Sequence, residues 1–112
     1  MKLGCRVPQE DWARLHKEII EMVGERTVMY FLDDTIALFC NGYKGYIKHS
    51  PYSMELEVDV VEVSLQNATE EYSWCEEKYD LHWVTESEEL LALIAEWKSS
   101  AENAPRFRSY LK

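Results

Sequence analysis

Apolar residues recur along the chain at two different periods, and the changes of period divide it into elements. Trp12, Leu15, Ile19, Ile20 and Val23 fall at helical spacing and form one apolar stripe. Pro8 suits the first turn of that helix, while Glu10 and Asp11 complement the positive end of its dipole. Gly24 is a fitting stop, so the pattern predicts a helix over 8–24. At Thr27 the period shortens to two. Thr27–Leu32 (TVMYFL) and Thr35–Asn41 (TIALFCN) are rich in β-branched and aromatic residues, and Asp33-Asp34 between them reads as a hairpin turn. Gly42–Gly45 (GYKG) reads as a further turn, followed by a short strand over Tyr46–His49.

The segment 54-MELEVDVVEVSL-65 is the clearest strand, and its alternation changes phase. Met54, Leu56, Val58 and Val60 are apolar, with Glu55, Glu57 and Asp59 between them. Beyond that point the apolar positions are Val61, Val63 and Leu65. Strict alternation would bury Glu62 without a partner, which is costly. A β-bulge near 60–61 adds one residue, keeps the apolar set on the core face and returns Glu62 to the side of the other acids. The alternative is a strand that swaps faces between two layers.

Gln66–Glu71 reads as a polar loop, and Tyr72–Cys75 and Tyr79–Thr85 as two shorter strands. Leu90, Leu91, Ile94, Ala95 and Trp97 return to helical spacing and predict a helix over 87–101, with Thr85 or Ser87 as its cap. Asn103-Ala104-Pro105 ends it, and 104–112 is a basic, aromatic tail. Helix, strands, helix is an α+β order, not an alternation of strands and helices. The expectation is one domain over 1–112: an N-terminal helix, a central antiparallel sheet of about four to five strands over 27–85, and a C-terminal helix packed on it.

Composition adds limits. With 112 residues, 46% of them hydrophobic, the chain can bury a core without covalent staples. No apolar run reaches the roughly 18 to 20 residues that span a bilayer, and the N-terminus lacks the apolar stretch of a secretory signal. Cys5, Cys40 and Cys75 are odd in number and widely spaced, as in a cytoplasmic protein with reduced thiols; Cys40 and Cys75 suit small core positions.

Candidate chemistry is sparse. His16 lies beside the apolar stripe, and His82 alternates with Leu81 and Trp83, so both read as boundary side chains. His49, before a proline, is the best-placed base, and a Cys40–His49 nucleophile pair is the one enzymatic arrangement the chain offers. No GxSxG, HExxH, zinc-ligand spacing or phosphate loop accompanies it, so no cofactor, no metal and no catalytic residue is assigned. The run GYKGYIKHSPY interleaves Tyr43, Tyr46 and Tyr52 with Lys44, Lys48 and His49, a texture suited to stacking bases. Two lysines are a small footprint for a polyanion, and guarding a sheet edge explains them as well.

Charge layout changes the picture most. Residues 1–52 hold seven acids and seven bases, whereas residues 53–103 hold fourteen acids against Lys78 and Lys98. Arg106, Arg108 and Lys112 follow, for a net charge of −9. Acids two apart on a strand lie ~6.6 Å from each other and repel by about 0.6 kcal/mol in water, which any solvated strand tolerates. A field of one sign over half a chain nevertheless steers an oppositely charged partner. The expected binding face comprises Glu55, Glu57, Asp59, Glu62, Glu70, Glu71, Glu76, Glu77 and Asp80, with Trp74, Tyr79 and Trp83 among the aromatic anchors. The expected partner is a basic, nucleic-acid-binding protein, with no direct nucleic acid and no membrane. Immunity proteins and phage anti-defence proteins work by this charge logic. A small dimeric chaperone or adaptor for a protein client is the alternative, and the Cys40/His49 enzyme the third reading.

Overall fold

A computed structural model of the protein describes residues 3, 7–49, 61–69 and 77–107. Among these, helix α1 (Gln9–Val23) is followed by strands β1 (Val28–Phe31), β2 (Thr35–Cys40), β3 (Tyr43–Lys48), β4 (Val61–Gln66) and β5 (Tyr79–Val84), then helix α2 (Ser87–Asn103). All four strand pairings are antiparallel, and the strands lie in the sheet in the order β1-β2-β3-β4-β5. The chain therefore folds as the α+β unit that its apolar periods predict. No helix of the described residues is long and apolar enough to cross a membrane.

The register assigns each side chain to a face, because residues directly opposite each other share one. Ile36, Ile47 and Val63 form one cross-strand row, and Leu38, Gly45 and Leu65 the next. These apolar rows meet the stripes of both helices: Trp12, Leu15 and Ile19 from α1, and Leu90, Ile94 and Trp97 from α2, all buried in one cluster. Trp12 fastens α1 to the sheet. Its ring packs on Phe31 at 6.2 Å and its indole N–H donates to the Leu32 carbonyl at 2.8 Å.

The described part of the 54–65 segment, which lies in β4, agrees with the shifted phase. Val61, Val63 and Leu65 are buried, and Glu62 faces away from the helices. The bulge proposed near 60–61 and the strand proposed over Tyr72–Cys75 lie outside the described residues. A register irregularity does occur in β1, between Val28 and Tyr30.

One turn differs from the sequence reading. The β2–β3 connection is Asn41-Gly42, not GYKG, and Tyr43 to Gly45 already belong to β3, which starts three residues before the expected Tyr46. Both Asn41 (φ 53°) and Gly42 (φ 86°) have positive φ, the combination that a tight two-residue hairpin needs and that these residue types tolerate best. Asn41 also reaches across the fold. Its Nδ2 donates to the carbonyls of Ala101 and Ala104, each at 2.8 Å, closing the C-terminal end of α2. Helix α2 accordingly runs to Asn103, two residues past the expected end. The chain after it lies along the same hairpin: Phe107 N–H donates to Asn41 O at 3.1 Å, and Tyr43 Oη–H to Pro105 O at 2.8 Å.

Candidate functional site

With both helices on one face of the sheet, the other face carries Tyr30, Phe39, Lys44, Tyr46, Lys48, Glu62, Ser64, Tyr79, Leu81 and Trp83 by register. No described helix packs on it. A five-residue row, Tyr30-Ala37-Tyr46-Ser64-Leu81, crosses it from edge to edge. Beside that row, Lys48, Glu62 and Trp83 stand opposite one another on β3, β4 and β5. Exposure is greatest on β5: Leu81 is 51% and Trp83 59% exposed, so half or more of each large apolar residue stays in water. By register both side chains face away from the two helices, and no described helix packs over them.

Tyr79, at the start of β5, tilts against Tyr46 with ring centroids 6.3 Å apart, and Lys48 Nζ sits 5.8 Å from the Tyr46 ring centre. Burial, with the Glu77 carboxylate and Tyr46 adding to it, pushes the Tyr79 hydroxyl up to about 12.

The opposite side of β5 is chemically different. Asp80 and His82 alternate onto the helix side, where a slot of about 210 Å³ opens between β5, the β4–β5 connection and α2. Asp80 lines it from the sheet and Glu96 from the helix, over apolar surface from Leu65, Leu93 and Trp97. Asn67 Nδ2 donates to Asp80 Oδ2 at 3.2 Å, and Asn67 Oδ1 accepts from the Thr69 backbone N–H and hydroxyl, which shapes the loop at the mouth.

Of the acidic residues expected to form one binding face, Glu62, Glu77 and Asp80 are described. Glu55, Glu57, Asp59, Glu70, Glu71 and Glu76, with the anchor Trp74, lie outside the described residues. The expectation of a single carboxylate face needs correction for one of the three. Glu62 is on the open face in register with Trp83, but Asp80 is on the helix side, because Leu65↔Asp80 and Glu62↔Trp83 are three steps apart on alternating strands. Glu77 is exposed just before β5. The anchors Tyr79 and Trp83 are exposed as an interface would need, whereas Leu81, Glu96 and Gln66 drew no attention in the sequence. The signal for Leu81 was present: in YDLHWV the apolar alternate set is the one left bare.

The catalytic arrangement fares differently. Cys40 ends β2 beside the hairpin turn, while His49 follows β3 at the other end of the same hairpin, with its backbone N–H on Asp34 O at 3.0 Å. Cys40 is level with Tyr43, and His49 lies six residue rises further along, roughly 20 Å at 3.3 Å per residue, so no Cys40–His49 pair forms. His49 is buried, with its ring edge-on to Trp12 at 4.2 Å, instead of standing in an open loop. His16 lies flat on Phe31 at 4.1 Å, and burial lowers its pKa. Burial and the Glu102 carboxylate raise the Cys40 thiol, against an opposing pull from Lys98, which makes it a poor nucleophile. Among the described residues, no group of three or more His, Cys, Asp or Glu side chains could hold a metal ion.

Compared with known protein families, with curated proteins and with solved structures, the chain gives no significant match to any of them.

Proposed function

We propose that this protein is a small cytoplasmic binding module, not an enzyme, which captures a basic protein through the surface around β5. The observation that carries this reading is the exposure of Leu81 and Trp83 on a sheet face over which no described helix packs, with Trp83 directly opposite Glu62. Aromatic anchors beside carboxylates are what an interface needs to hold a cationic partner. The aromatic residue supplies contact area and slow release, and the acids supply fast, salt-sensitive encounter. The excess of acids over residues 53–103 fits a partner whose own surface handles nucleic acid, so that the module occupies that surface in the manner of an immunity or anti-defence protein.

The test is capture of the partner from the native host at two salt concentrations. Capture should fall steeply with salt, fall further for Trp83→Ala, and vanish when Glu55, Glu57, Asp59 and Glu62 are all changed to lysine while the fold persists by circular dichroism. Undiminished capture by the charge-reversed variant defeats the reading. The breadth of the open face, from Tyr30 and Phe39 on one side to Leu81 on the other, favours one second reading: a homodimeric chaperone or adaptor joined face to face. Sedimentation separates the two, since that reading requires a stable dimer whose formation tolerates salt.

A further inference from the structure

We infer that the outer edge of β5 receives an extended, basic segment of the partner as a sixth strand, an inference that rests on the reading of a basic partner given above. Pairing parity shows which backbone groups that edge offers. Asn67 N–H donates to the Lys78 carbonyl at 2.6 Å, so Asn67 and Lys78 form a hydrogen-bonded pair of the β4–β5 ladder. In an antiparallel ladder such pairs alternate with pairs whose N–H and C=O groups point away from each other. By register, Leu65↔Asp80 and Val63↔His82 are bonded pairs, whereas Gln66↔Tyr79, Ser64↔Leu81 and Glu62↔Trp83 are of the other kind. Tyr79, Leu81 and Trp83 therefore turn their backbone donors and acceptors outward, where no described strand lies. The next residue of that parity, Thr85, shows that this line can hold a chain: its carbonyl accepts the Leu3 backbone N–H at 2.7 Å.

The two edges of the sheet are not alike. β1 is four residues long, and its pairing with β2 is irregular between Val28 and Tyr30, features that blunt an edge. β5 keeps an unbroken register over six residues, roughly 20 Å of edge, and contains neither lysine nor proline. The residues with outward backbone groups are also those with exposed apolar side chains, so an added strand gains contact area as well as hydrogen bonds. Charge decides whose strand it is. Asp80 lies within β5, and Glu77 and Glu86 are exposed just beyond its two ends. Joining two copies β5 to β5 would set one acidic edge against another, which disfavours that pair. A segment with arginine or lysine at alternate positions meets the same edge with opposite charge. A cation beside Trp83 also gains an indole face, with the Glu62 carboxylate on the next strand.

The experiment titrates the full chain with the peptide acetyl-Arg-Val-Arg-Val-Arg-amide and follows amide hydrogen exchange by NMR. Its controls are the same peptide methylated on every backbone nitrogen, which keeps the charge and removes the donors, and acetyl-Glu-Val-Glu-Val-Glu-amide. In the free chain the Tyr79, Leu81 and Trp83 amides should exchange fast while Asp80 and His82 are protected. Saturation with the arginine peptide should slow the three outward amides by about tenfold or more. No saturable binding, binding that leaves those amides fast, or equal protection by either control overturns the assignment. Partner capture keeps this claim distinct from the broader one. Leu81→Pro removes one outward donor without touching the bonds to β4, and Leu81→Ala controls for the lost side chain. If the proline variant, folded by circular dichroism, captures as well as the alanine variant while charge reversal abolishes capture, the edge assignment falls and the binding reading stands. If the arginine peptide protects the edge but capture depends on neither salt nor Trp83, the binding reading falls while the edge stays assigned to basic strands.

Discussion

Replacing Asn41 by aspartate tests how the hairpin and α2 are joined. Asparagine donates two N–H···O bonds of 2.8 Å from one nitrogen to the Ala101 and Ala104 carbonyls. Aspartate keeps the positive φ at little cost but has no donor when ionised, and it sets a negative charge against the negative end of a helix. Losing two hydrogen bonds costs about 1–3 kcal/mol, and the unfavourable charge adds about 0.3–1 kcal/mol. The total for Asn41→Asp at neutral pH is thus about 1.3–4 kcal/mol. Asn41→Gly removes the same bonds without the charge, so the order of stability should be parent, then glycine, then aspartate. The pH dependence follows from the sign of the shift. Carbonyl oxygens beside the new carboxylate raise its folded pKa above the unfolded value. Its neutral form therefore stabilises the fold at low pH, and that contribution is lost as pH rises through the folded pKa. Urea unfolding of the three proteins at pH 4 and pH 7 measures all of this. The reasoning is refuted if aspartate matches glycine at pH 7, or if both lie within about 0.5 kcal/mol of the parent, the range of ordinary surface substitutions.

Three further outcomes are expected. Trp12→Ala should cost about 3–5 kcal/mol as a large core truncation, whereas Trp12→Phe, which removes the donor to Leu32, should cost distinctly less; equilibrium unfolding ranks them. Tyr79, with its hydroxyl raised to about 12 from 10.0, contributes stability that is present below pH 10 and lost as pH rises toward 12. Tyr79→Phe should therefore unfold less steeply with pH across that window, and equal slopes would count against the assignment. Cys40 should alkylate more slowly in the folded protein than in urea, and somewhat faster once Glu102→Gln removes the neighbouring charge, as read by mass spectrometry of the peptide containing it.

The α+β layout was legible because each element has one dominant period and one covered face. Trp12, Leu15, Ile19 and Val23 mark the buried stripe of α1, and all four are buried. The β2–β3 turn was not legible from its glycines. Gly45 sits inside β3, where an added Cβ would come within 2.8 Å of Leu65 Cδ2, so it serves close packing between strands while Asn41-Gly42 makes the turn. His49 misled for a similar reason: a residue before proline suggests a loop, but its neighbour in space is Trp12, 37 positions earlier. The candidate surface was legible as chemistry and not as geometry. Charge counting singled out Glu62 and Asp80 together, yet pairing register puts them on opposite sides of the sheet. On β5 the apolar alternates Leu81 and Trp83 are the exposed set, so hydropathy by itself points to the wrong side, and only the pairing register assigns the faces.

The contact between Asn41 and α2 has a consequence for how this chain can vary. Its acceptors are backbone carbonyls, which every residue type carries, so the amino acids supplying them are constrained by burial alone, fully at Ala101 and partly at Ala104, which packs against the core. Spacing is another matter. One residue inserted into or deleted from α2 turns the helix end by roughly 100° and moves it by about 1.5 Å, carrying both acceptors away from the amide. The joint is therefore more permissive in spelling than in length: substitutions at the exposed positions Ser99, Glu102 and Asn103 should accumulate freely, while insertions and deletions should be confined to the loops.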